Sequence, residues 1–486
     1  MVLPVAGLGL FACSKPADNT LRFGLSSAPI NLDPRFATDA ASSRINRLLY
    51  QSLVDFDDAY RAVPALAQWQ SISPIHYRFQ LTNQAPTFHD GTVLTAADVK
   101  ATYDSILDAT TASPHRAGFN MVESIEVVND QTIDFHLNKV DPLFPGRLVI
   151  GIMPAKLLQA KHAFNRQPVG SGPFAFVDWP EEGRLILQRR SDEQRLEFIE
   201  VKNPTVRVLK LLRGEIDMLQ NDLPAELVSY LADQDQINLL KGAGSNFSYL
   251  VFNLRDEDTG DLKLRQAIAH AIDRDAIIDY VLGGAATKAS SLLPPDHWAS
   301  DALPLYPHDP TKARLILKEA GYVKGKRPKV VYKTNSRPDR VRLATVLQHQ
   351  MSQVGIDVEL RSYDWGTLYG DIKAGRFQMS TMNWVGIKMP DIFRYAFHSD
   401  SVPPRGANRG YFIDNMTDSL IEAAESSLAL SQQAVYFQEL QKHLFEQLPY
   451  VPLWYRDNVF AVRKGISGYT LARDGNYDGV INIKYD

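Results

Sequence analysis

The sequence contains a single cysteine, Cys13, and no long apolar segment. Without a second cysteine the chain cannot form an intramolecular disulfide bond, so its stability must come from a large hydrophobic core. The apolar run that precedes Cys13 has about ten residues, which is too short to span a bilayer as a helix. The length of 486 residues and the hydrophobic content of 45% therefore indicate a soluble chain of two or three domains.

An excess of basic charge is also missing. The net charge is −4 and the pI is near 6.3, so the sequence offers no electrostatic basis for binding nucleic acid. The catalytic motifs His-Glu-x-x-His, Cys-x-x-Cys and Gly-x-Ser-x-Gly do not occur. The eleven histidines are dispersed between His76 and His443, and none are paired at the helical spacing typical of a metal site. We therefore predict no catalytic residue, no metal ligand and no cofactor.

The apolar N-terminal segment ends in Leu10-Phe11-Ala12-Cys13. This run resembles the lipobox of bacterial lipoproteins, which implies that residues 1–19 are a processed signal and a tether rather than part of the fold. Cys13 would then carry a lipid and attach the mature protein to a membrane. A secretory signal normally opens with Lys or Arg, whereas the first basic residue here is Lys15, so an apolar terminus with an unmodified cysteine stays an alternative.

Helix and strand patterns alternate along the chain, which is typical of α/β layers. Thr95 to Asp98 has the pattern of a capping box, and Asp309-Pro310 with the apolar stripe up to Gly321 predicts a second helix. From Arg340 to Gly355 a helical stripe gives way to alternating apolar residues, which predicts a helix that leads into a strand. Ser431 is predicted to cap the last long helix, which ends at Pro449.

Short motifs occur in a fixed order over most of the chain. They are Leu32-Asp33-Pro34, Phe88 to Val99, Pro168 to Phe174, Gly214 to Asp217, Val251 to Leu254, Leu264 to Arg274 and Leu448 to Leu453. Together they resemble the peptide/nickel class of solute-binding proteins that serve ABC importers. Each motif alone is weak evidence, and it is their order and coverage that carry the resemblance.

The resemblance implies an α/β, two-lobed periplasmic-binding-protein fold, with hinge crossovers and a ligand cleft between the lobes. Lobe one would comprise residues 20–244 and 456–486, and lobe two residues 245–455. The protein would bind a peptide or a small solute in the periplasm or at the extracytoplasmic face of the membrane. It would pass this ligand to an ABC permease in the inner membrane, which a separate ATPase powers. We expect a monomer without enzymatic activity, attached to the membrane by its lipid alone.

Two positions bear on which ligand the resemblance implies. Dipeptide-binding members hold the ligand's carboxylate with an arginine and its ammonium with an aspartate. Ser336-Arg337-Pro338 looks like the segment that supplies this arginine, so Arg337 is the candidate carboxylate-binding residue. The aspartate follows a tryptophan by three residues, and counting from Trp384 places the apolar Ile387 there. Asp391 could replace the aspartate if its loop folds back towards the site.

The segment around Trp384 supplies the other candidate ligand-binding residues. Trp384 either stacks on the ligand or fills the floor of the cleft. The backbone of Val385 would pair with an extended peptide. Asn383 precedes Trp384 in the strand that the sequence predicts from Gln378 to Trp384. Arg405 would favour an anionic ligand, unless it pairs with a surface carboxylate such as Asp400.

Four functions follow from these patterns. The leading hypothesis is a receptor for dipeptides or oligopeptides. The second is a receptor for a non-peptide ligand, such as a metal chelate, haem or an anionic sugar conjugate, which the missing aspartate keeps open. The third and fourth are a secreted hydrolase and a chaperone-like protein that holds unfolded segments. Turnover of a chromogenic peptide would indicate the hydrolase, and binding of denatured protein would indicate the chaperone.

Overall fold

A computed structural model describes residues 19–82, 86–322 and 326–486 of the chain. Cys13 and the rest of residues 1–18 lie outside the described residues, so the predicted lipidation site stays a prediction. Strands and helices alternate throughout the described part. No helix in that part is both long enough and apolar enough to cross a membrane.

The largest sheet in the described residues has eleven strands, numbered here in chain order. In spatial order they are β15 (Asp357–Tyr363), β14 (Lys329–Asn335), β16 (Met379–Trp384), β12 (Ile237–Phe252), β17 (Tyr450–Arg463), β11 (Met218–Gln220), β1 (Leu21–Leu25), β10 (Arg195–Glu200), β9 (Arg184–Arg189) and β8 (Phe174–Glu181), while β13 (Ala286–Lys288) pairs with β17.

Three smaller sheets complete the strands of the described chain. They are the four-stranded sheet β4 (Ala67–Ser73), β5 (His76–Leu81), β7 (Thr132–Leu137) and β6 (Val122–Asn129), and the pairs β2 (Val54–Phe56) with β3 (Ala62–Pro64) and β18 (Ile466–Ser467) with β19 (Lys484–Tyr485).

Fourteen α-helices occur within the described ranges. They are α1 (Ala40–Leu49), α2 (Ala96–Leu107), α3 (Phe144–Arg147), α4 (Ala155–Gln159), α5 (Pro204–Arg213), α6 (Ala225–Ala232), α7 (Leu262–Ala271), α8 (Arg274–Tyr280), α9 (Pro310–Glu319), α10 (Pro338–Gln353), α11 (Trp365–Lys373), α12 (Ile392–Phe397), α13 (Asn415–Ser426) and α14 (Leu430–Gln447).

The long strands β12 and β17 connect the two halves of the large sheet. They are 16 and 14 residues long and pair antiparallel along most of their length. On one side β17 pairs with β11, which in turn pairs with β1, and on the other side β12 pairs with β16. The chain therefore crosses between the lobes along β12 and returns along β17. The predicted α/β, two-lobed fold with two crossings is confirmed, while the exact lobe boundaries stay a prediction.

Side chains on the two faces of β12 enter different hydrophobic clusters. Leu250 and Phe252 pack with helices α7 and α10, whereas Tyr249 and Val251 pack with helices α12 and α14. This split follows from the period of two in a strand, which sends alternate side chains to opposite faces. Further clusters form around β1 and its neighbours and around the four-stranded sheet with α2. The core is thus divided among several layers.

The pairing of β12 with β17 is interrupted where the chain crosses. The register shifts between Gly242 and Asn246, so the residues between them bulge out against Arg456 and its neighbours. Gly244 lies at this bulge, and a Cβ atom there would come within 2.0 Å of the carbonyl oxygen of Arg456. Only glycine permits such a close approach of the two backbones.

Two predicted helix starts are confirmed. The backbone N of Thr95 donates to Asp98 Oδ2 at 2.8 Å, which forms the capping box of α2. Asp309 Oδ1 accepts a hydrogen bond of 2.8 Å from the backbone N of Lys312 at the start of α9. Local sequence patterns specify these starts because the capping groups are only three residues apart.

The prediction for the last long helix is wrong at its start. Helix α14 begins at Leu430, and Ala429 rather than Ser431 precedes it. The carbonyl of Ala429 accepts the first helical hydrogen bonds, from the backbone N of Gln432 and Gln433, at 3.0 Å each. Ser431 therefore lies inside the first turn, and no side chain caps this helix. The end is as predicted, just before Pro449.

Candidate functional site

Two neighbouring parallel strands of lobe two end at the same edge of the large sheet. In their pairing, Tyr332 of β14 lies opposite Met379 of β16. Arg337 follows the end of β14 as the residue before α10, and Trp384 is the last residue of β16. Ligands of open α/β sheets bind beyond the carboxyl ends of parallel strands. The structure thus brings the predicted Arg337 and Trp384 to one edge, where a ligand site is expected.

Three guanidinium groups gather at this edge, and we call Arg337, Arg340 and Arg456 the arginine cluster. Arg337 is 67% exposed, and its Nε lies 3.1 Å from Asp339 Oδ1. Arg340 is 26% exposed and shares the same carboxylate, at 3.6 Å. The guanidinium group of Arg456, on the crossing strand β17, forms no hydrogen bond or ion pair with any described residue. The cluster therefore carries more positive charge than Asp339 neutralises.

Burial and the repulsion of neighbouring guanidinium groups destabilise the charges of Arg340 and Arg456. Burial lowers the pKa of Arg456, and the positive charge of Arg340 lowers it further. Burial also lowers the pKa of Arg340, although Asp339 acts in the opposite direction. The remaining nearby carboxylate is Asp222 of lobe one, which already accepts a hydrogen bond of 2.6 Å from Ser26 Oγ. An anion placed among these arginines would relieve the repulsion.

Trp384 rests on a buried arginine. The guanidinium carbon of Arg409 lies 5.0 Å from the centroid of the Trp384 ring and 5.3 Å from that of Tyr369. Arg409 Nη2 also donates a hydrogen bond of 3.1 Å to the Tyr369 hydroxyl. Tyr395 meets the ring of Trp384 edge-on at 6.2 Å. These contacts hold the indole in place from within lobe two, because cation–π and edge-to-face contacts favour defined ring orientations.

The residues on either side of Trp384 differ in exposure. The side chain of Asn383 accepts a hydrogen bond of 2.6 Å from Ser248 Oγ on β12, so its amide oxygen is already engaged. Val385 is 56% exposed at the end of β16. Ile387 is only 7% exposed and belongs to an apolar cluster with Phe393. Their proposed roles in ligand binding stay predictions.

Asp391 bridges the two lobes rather than standing free. Its Oδ2 lies 2.8 Å from Nη1 of Arg147 in lobe one, and Arg147 Nε lies 2.7 Å from Asp141 Oδ2. Although burial acts against it, these two carboxylates raise the pKa of Arg147. The loop that carries Asp391 therefore does fold towards the interlobe region, but its carboxylate pairs with a protein cation. Whether it also contacts the ligand stays a prediction.

Further contacts join the lobes beside Asp391. Lys388 Nζ lies 2.8 Å from Asp474 Oδ2, and Arg473 forms an ion pair with Asp296. His297 of lobe two stacks on Tyr60 of lobe one, with 5.3 Å between the ring centroids. We call these pairs, with Arg147 and Asp391, the interlobe contacts.

The protonation state of His297 follows from its hydrogen bonds. Its Nδ1 accepts from the backbone N of Ala299 at 3.0 Å, so Nε2 carries the proton and donates to the carbonyl of Lys388 at 3.2 Å. Burial lowers the pKa of His297 to about 4. The imidazole is therefore neutral at pH 7 while it is packed between the lobes.

Arg405 lies away from these groups. It is 71% exposed, and its closest carboxylate contact is 3.9 Å to Asp400, which is itself exposed. This is the surface pairing that was left open as the alternative for Arg405. Sequence patterns did not indicate Arg340, Arg456 or Arg147 as site residues, because their proximity to the site depends on how distant elements pack and none belongs to a ligand-binding motif.

Comparison with known proteins agrees with this architecture. A family model described as "Bacterial extracellular solute-binding proteins, family 5 Middle" matches residues 61–402. The dipeptide-binding protein of Escherichia coli (strain K12) is 25% identical over 519 residues, which cover 96% of this chain and 95% of the relative. Heme-binding protein A of Haemophilus influenzae is 27% identical over 518 residues, covering 97% of this chain and 93% of the relative.

Solved structures give the same result. The ABC transporter substrate-binding protein CtaP from Listeria monocytogenes has a TM-score of 0.86 at 25% identity, over 96% of this chain and 99% of that chain. NikZ from Campylobacter jejuni, solved in complex with Ni(L-His), shares the fold with a TM-score of 0.80 at 24% identity, over 96% of this chain and 100% of that chain. The family model covers well over half of the sequence, and the relatives match almost end to end. The chain therefore belongs to the bacterial extracellular solute-binding proteins of family 5.

Proposed function

We propose that this chain is the extracytoplasmic substrate-binding component of an ABC importer and that its ligand carries an anionic group bound by the arginine cluster. Binding proteins of this family bind small molecules or peptides and work with ABC permeases. The observation that carries the proposal is Arg456, a partly buried cation without a hydrogen-bonding or ion-pair partner in the described residues. Placing such a cation in a protein is costly unless an anion compensates it.

A peptide or a related small solute fits this site. Its terminal carboxylate would lie among Arg337, Arg340 and Arg456, where bidentate contacts to guanidinium groups are strong. An extended peptide would run past the exposed Val385 and pair with the backbone there, which tolerates many side chains. The dipeptide-binding protein of Escherichia coli is a relative over nearly the whole chain, which supports this choice of ligand.

A non-peptide anionic ligand is the second candidate, and Ile387 favours it. Ile387 is apolar and buried, so it offers nothing to a free ammonium group, and Asp391 is paired with Arg147. A ligand that needs only its negative groups recognised would not require either residue. Heme-binding protein A of Haemophilus influenzae is similar to this chain over 97% of its length, and haem carries two carboxylates.

The proposal includes three further statements about the protein. It binds its ligand without converting it, it acts as a monomer, and lipid on Cys13 attaches it to the extracytoplasmic face of the membrane. The resemblance of Leu10 to Cys13 to a lipobox supports the anchor. Mass spectrometry of the protein from its native host would test it, because lipidation removes residues 1–12 and adds the mass of a diacylglyceryl group.

The first experiment identifies the small molecules that copurify with the protein. The protein is purified from its native host, denatured, and the released small molecules are compared with a blank by mass spectrometry. We expect peptides, or a single compound with at least one carboxylate or phosphate. Release of neutral or cationic compounds alone would contradict the anionic site.

The role of the arginine cluster is then tested by measuring how tightly substituted proteins bind the identified ligand. We expect Arg340→Gln to weaken binding about tenfold or more, because a charged hydrogen bond contributes roughly 1.5–3 kcal/mol. Arg361→Gln is the matched control, since Arg361 is an exposed arginine of the same lobe that pairs with Glu359. Equal affinities for both variants would remove the arginine cluster from the site.

A further inference from the structure

A second polar cluster lies on the four-stranded sheet, apart from the strands that carry the ligand site. His76 begins β5, and His136 lies directly opposite it on β7. The backbone N of Leu137 donates to the carbonyl of Ile75, which makes the His76–His136 pair a non-hydrogen-bonded pair of the ladder. Side chains approach most closely at such pairs. Asp134 precedes His136 by two residues and therefore points to the same face of the sheet.

The side chains of this cluster converge. His76 Nε2 lies 3.0 Å from Asp134 Oδ2, and the two imidazole rings stack with 4.3 Å between their centroids. One ligand atom from each of His76, Asp134 and His136 can be chosen so that all three lie within 4.8 Å of one another. His76 Nε2 is shielded from solvent and has no hydrogen bond of good geometry. A buried nitrogen of this kind is available to coordinate an ion.

Two charged residues complete the surroundings. Glu126 on β6 is paired with Asp134, and its Oε2 lies 3.9 Å from His136 Nε2. Arg78 on β5 contacts both oxygens of Asp134, at 2.8 and 2.7 Å. This arginine holds the pKa of Asp134 below its usual range and keeps the carboxylate ionised. A carboxylate has about four lone-pair sites, so Asp134 can accept from Arg78 and still ligate an ion.

We propose that His76, Asp134 and His136 form a binding site for a divalent transition-metal ion such as Zn²⁺, with Glu126 within reach as a fourth ligand. Two imidazole nitrogens and carboxylate oxygens are a donor set that suits zinc, at distances of about 2.0–2.2 Å from the ion. The three donor atoms lie within 4.8 Å of one another, and both histidines retain some exposure, which leaves their rings room to turn towards a common centre. Asp134 stays fixed by Arg78, as metal-ligating carboxylates commonly are by outer hydrogen bonds.

Metal binding here would tie β5 to β7, which are separated by a long stretch of chain. The ion would bind the folded sheet and not the unfolded chain, so it would raise the stability of lobe one. The site belongs to the four-stranded sheet, whereas Arg337 and Trp384 follow strands of the large sheet. Its test can therefore succeed or fail independently of the proposed ligand binding.

The experiment is a calorimetric titration of the untagged, metal-free protein with Zn²⁺ at pH 7.5. We expect one ion per chain, a melting temperature that rises with Zn²⁺, and reversal of both effects by a chelator. His136→Gln and His76→Gln should each weaken Zn²⁺ binding about tenfold or more, because each removes one of three ligands. His349→Gln is the control, since His349 is an exposed histidine on α10, and it should bind as the unaltered protein does.

Cu²⁺ electron paramagnetic resonance gives a second readout, in which the coupling to two nitrogens should fall to one in His136→Gln. The proposal is overturned if the unaltered protein binds no Zn²⁺ or if either histidine variant binds as the His349→Gln control does.

Discussion

Arg456 lies on a strand that connects both lobes, and its guanidinium has no ion pair or hydrogen bond in the described chain. Burial costs this cation hydration, and the nearby carboxylates of Asp339 and Asp222 offset that cost only from a distance, without an ion pair. Trp384 differs, since Arg409 and Tyr395 hold it from behind. At the scale of single residues, the site therefore combines a rigid aromatic surface with positive charge that the protein leaves uncompensated.

Replacing Arg456 should separate stability from binding. We expect Arg456→Met to raise the free energy of unfolding by about 1–2 kcal/mol, because an apolar side chain of similar length avoids the burial of an unpaired charge. Affinity for the anionic ligand should fall at least about tenfold. Denaturant unfolding and ligand titration measure the two effects, with Arg361→Met as the control for a surface arginine. A variant that is less stable and binds equally well would show that Arg456 has a structural role.

His297 should make the stability of the protein depend on pH. The folded protein binds a proton at His297 only near pH 4, whereas an unfolded histidine binds one near pH 6.5. Between these values the unfolded chain holds more protons, so this contribution is fully present above about pH 6.5 and is lost as the pH falls towards 4. Burial also lowers the pKa of His89 to about 4, so His89 contributes to the pH dependence of stability over the same pH range.

The unfolding free energy measured from pH 7.5 to pH 4 tests this contribution. We expect the loss of stability on acidification to be smaller in His297→Gln than in the unaltered protein, by roughly 1.4 kcal/mol for each pH unit of the window. His89→Gln should reduce the dependence of the unfolding free energy on pH by a similar amount. His349 is exposed, so His349→Gln should leave that dependence unchanged. An unaltered slope in His297→Gln would mean that this imidazole titrates normally in the folded protein.

Among the secondary-structure elements, β12 and β17 position the site. They carry Arg456 and support β16, and their bulge at Gly244 marks where regular pairing stops between the lobes. The two arginines in the motif from Leu264 to Arg274, Arg265 and Arg274, form hydrogen bonds at the start of β17. Arg265 donates to the carbonyls of Leu448 and Gln447, and Arg274 donates to that of Pro452. These two arginines thus hold α7 and α8 against the start of β17.

Gly244→Ala should destabilise the crossing strands. The added Cβ would meet the carbonyl oxygen of Arg456 at 2.0 Å, and backbone atoms cannot move aside as a flexible side chain can. We expect a loss of about 1–3 kcal/mol in the free energy of unfolding. Gly242→Ala is the matched control in the same strand, because its Cβ would meet only the end of the Leu471 side chain at 3.3 Å. Equal stability of the two variants would contradict the close approach at the bulge.

At the scale of the whole molecule, charged pairs join the lobes around the site. Asp391 with Arg147 and Lys388 with Asp474 each place one charge on either side. Family 5 binding proteins are two-lobed, and hinge motion in such folds encloses the ligand. Contacts that form only when the lobes meet contribute to ligand affinity, because they favour the closed form. The interlobe contacts are therefore expected to act on binding without touching the ligand.

Asp391→Asn should weaken closure while leaving each lobe intact. Arg147 keeps its contact with Asp141, so the variant leaves no unpaired buried cation. We expect a larger radius of gyration in small-angle X-ray scattering of the ligand-free protein. Ligand affinity should fall about fivefold, as expected for the loss of a pair worth ~1 kcal/mol. Asp400→Asn, which alters an exposed pair within lobe two, is the control. A fall in affinity without any change in the radius would indicate that Asp391 contacts the ligand directly.

Family membership, the two-lobed α/β fold and the starts of α2 and α9 were all predictable from the sequence. The family follows from motifs spread in order along the chain, and the helix starts follow from capping groups a few residues apart, as at Thr95 and Asp98. The start of α14 was missed because its cap is a backbone carbonyl, which no side-chain pattern reveals. Such features are predictable from the sequence because they depend on residues close together in the chain or on the order of motifs, and not on contacts between distant residues.

The sequence by itself thus determined what kind of protein this is, whereas tertiary structure alone decided which charges meet. Arg340 meets Arg456 because the fold brings the first turn of α10 and the returning strand β17 within electrostatic range of each other. His76 meets His136 because β5 pairs with β7 in one particular register. The physical reason is the same in both cases: electrostatic and coordination chemistry depends on distances of a few ångströms, and strand pairing and lobe packing set those distances between residues far apart in the chain.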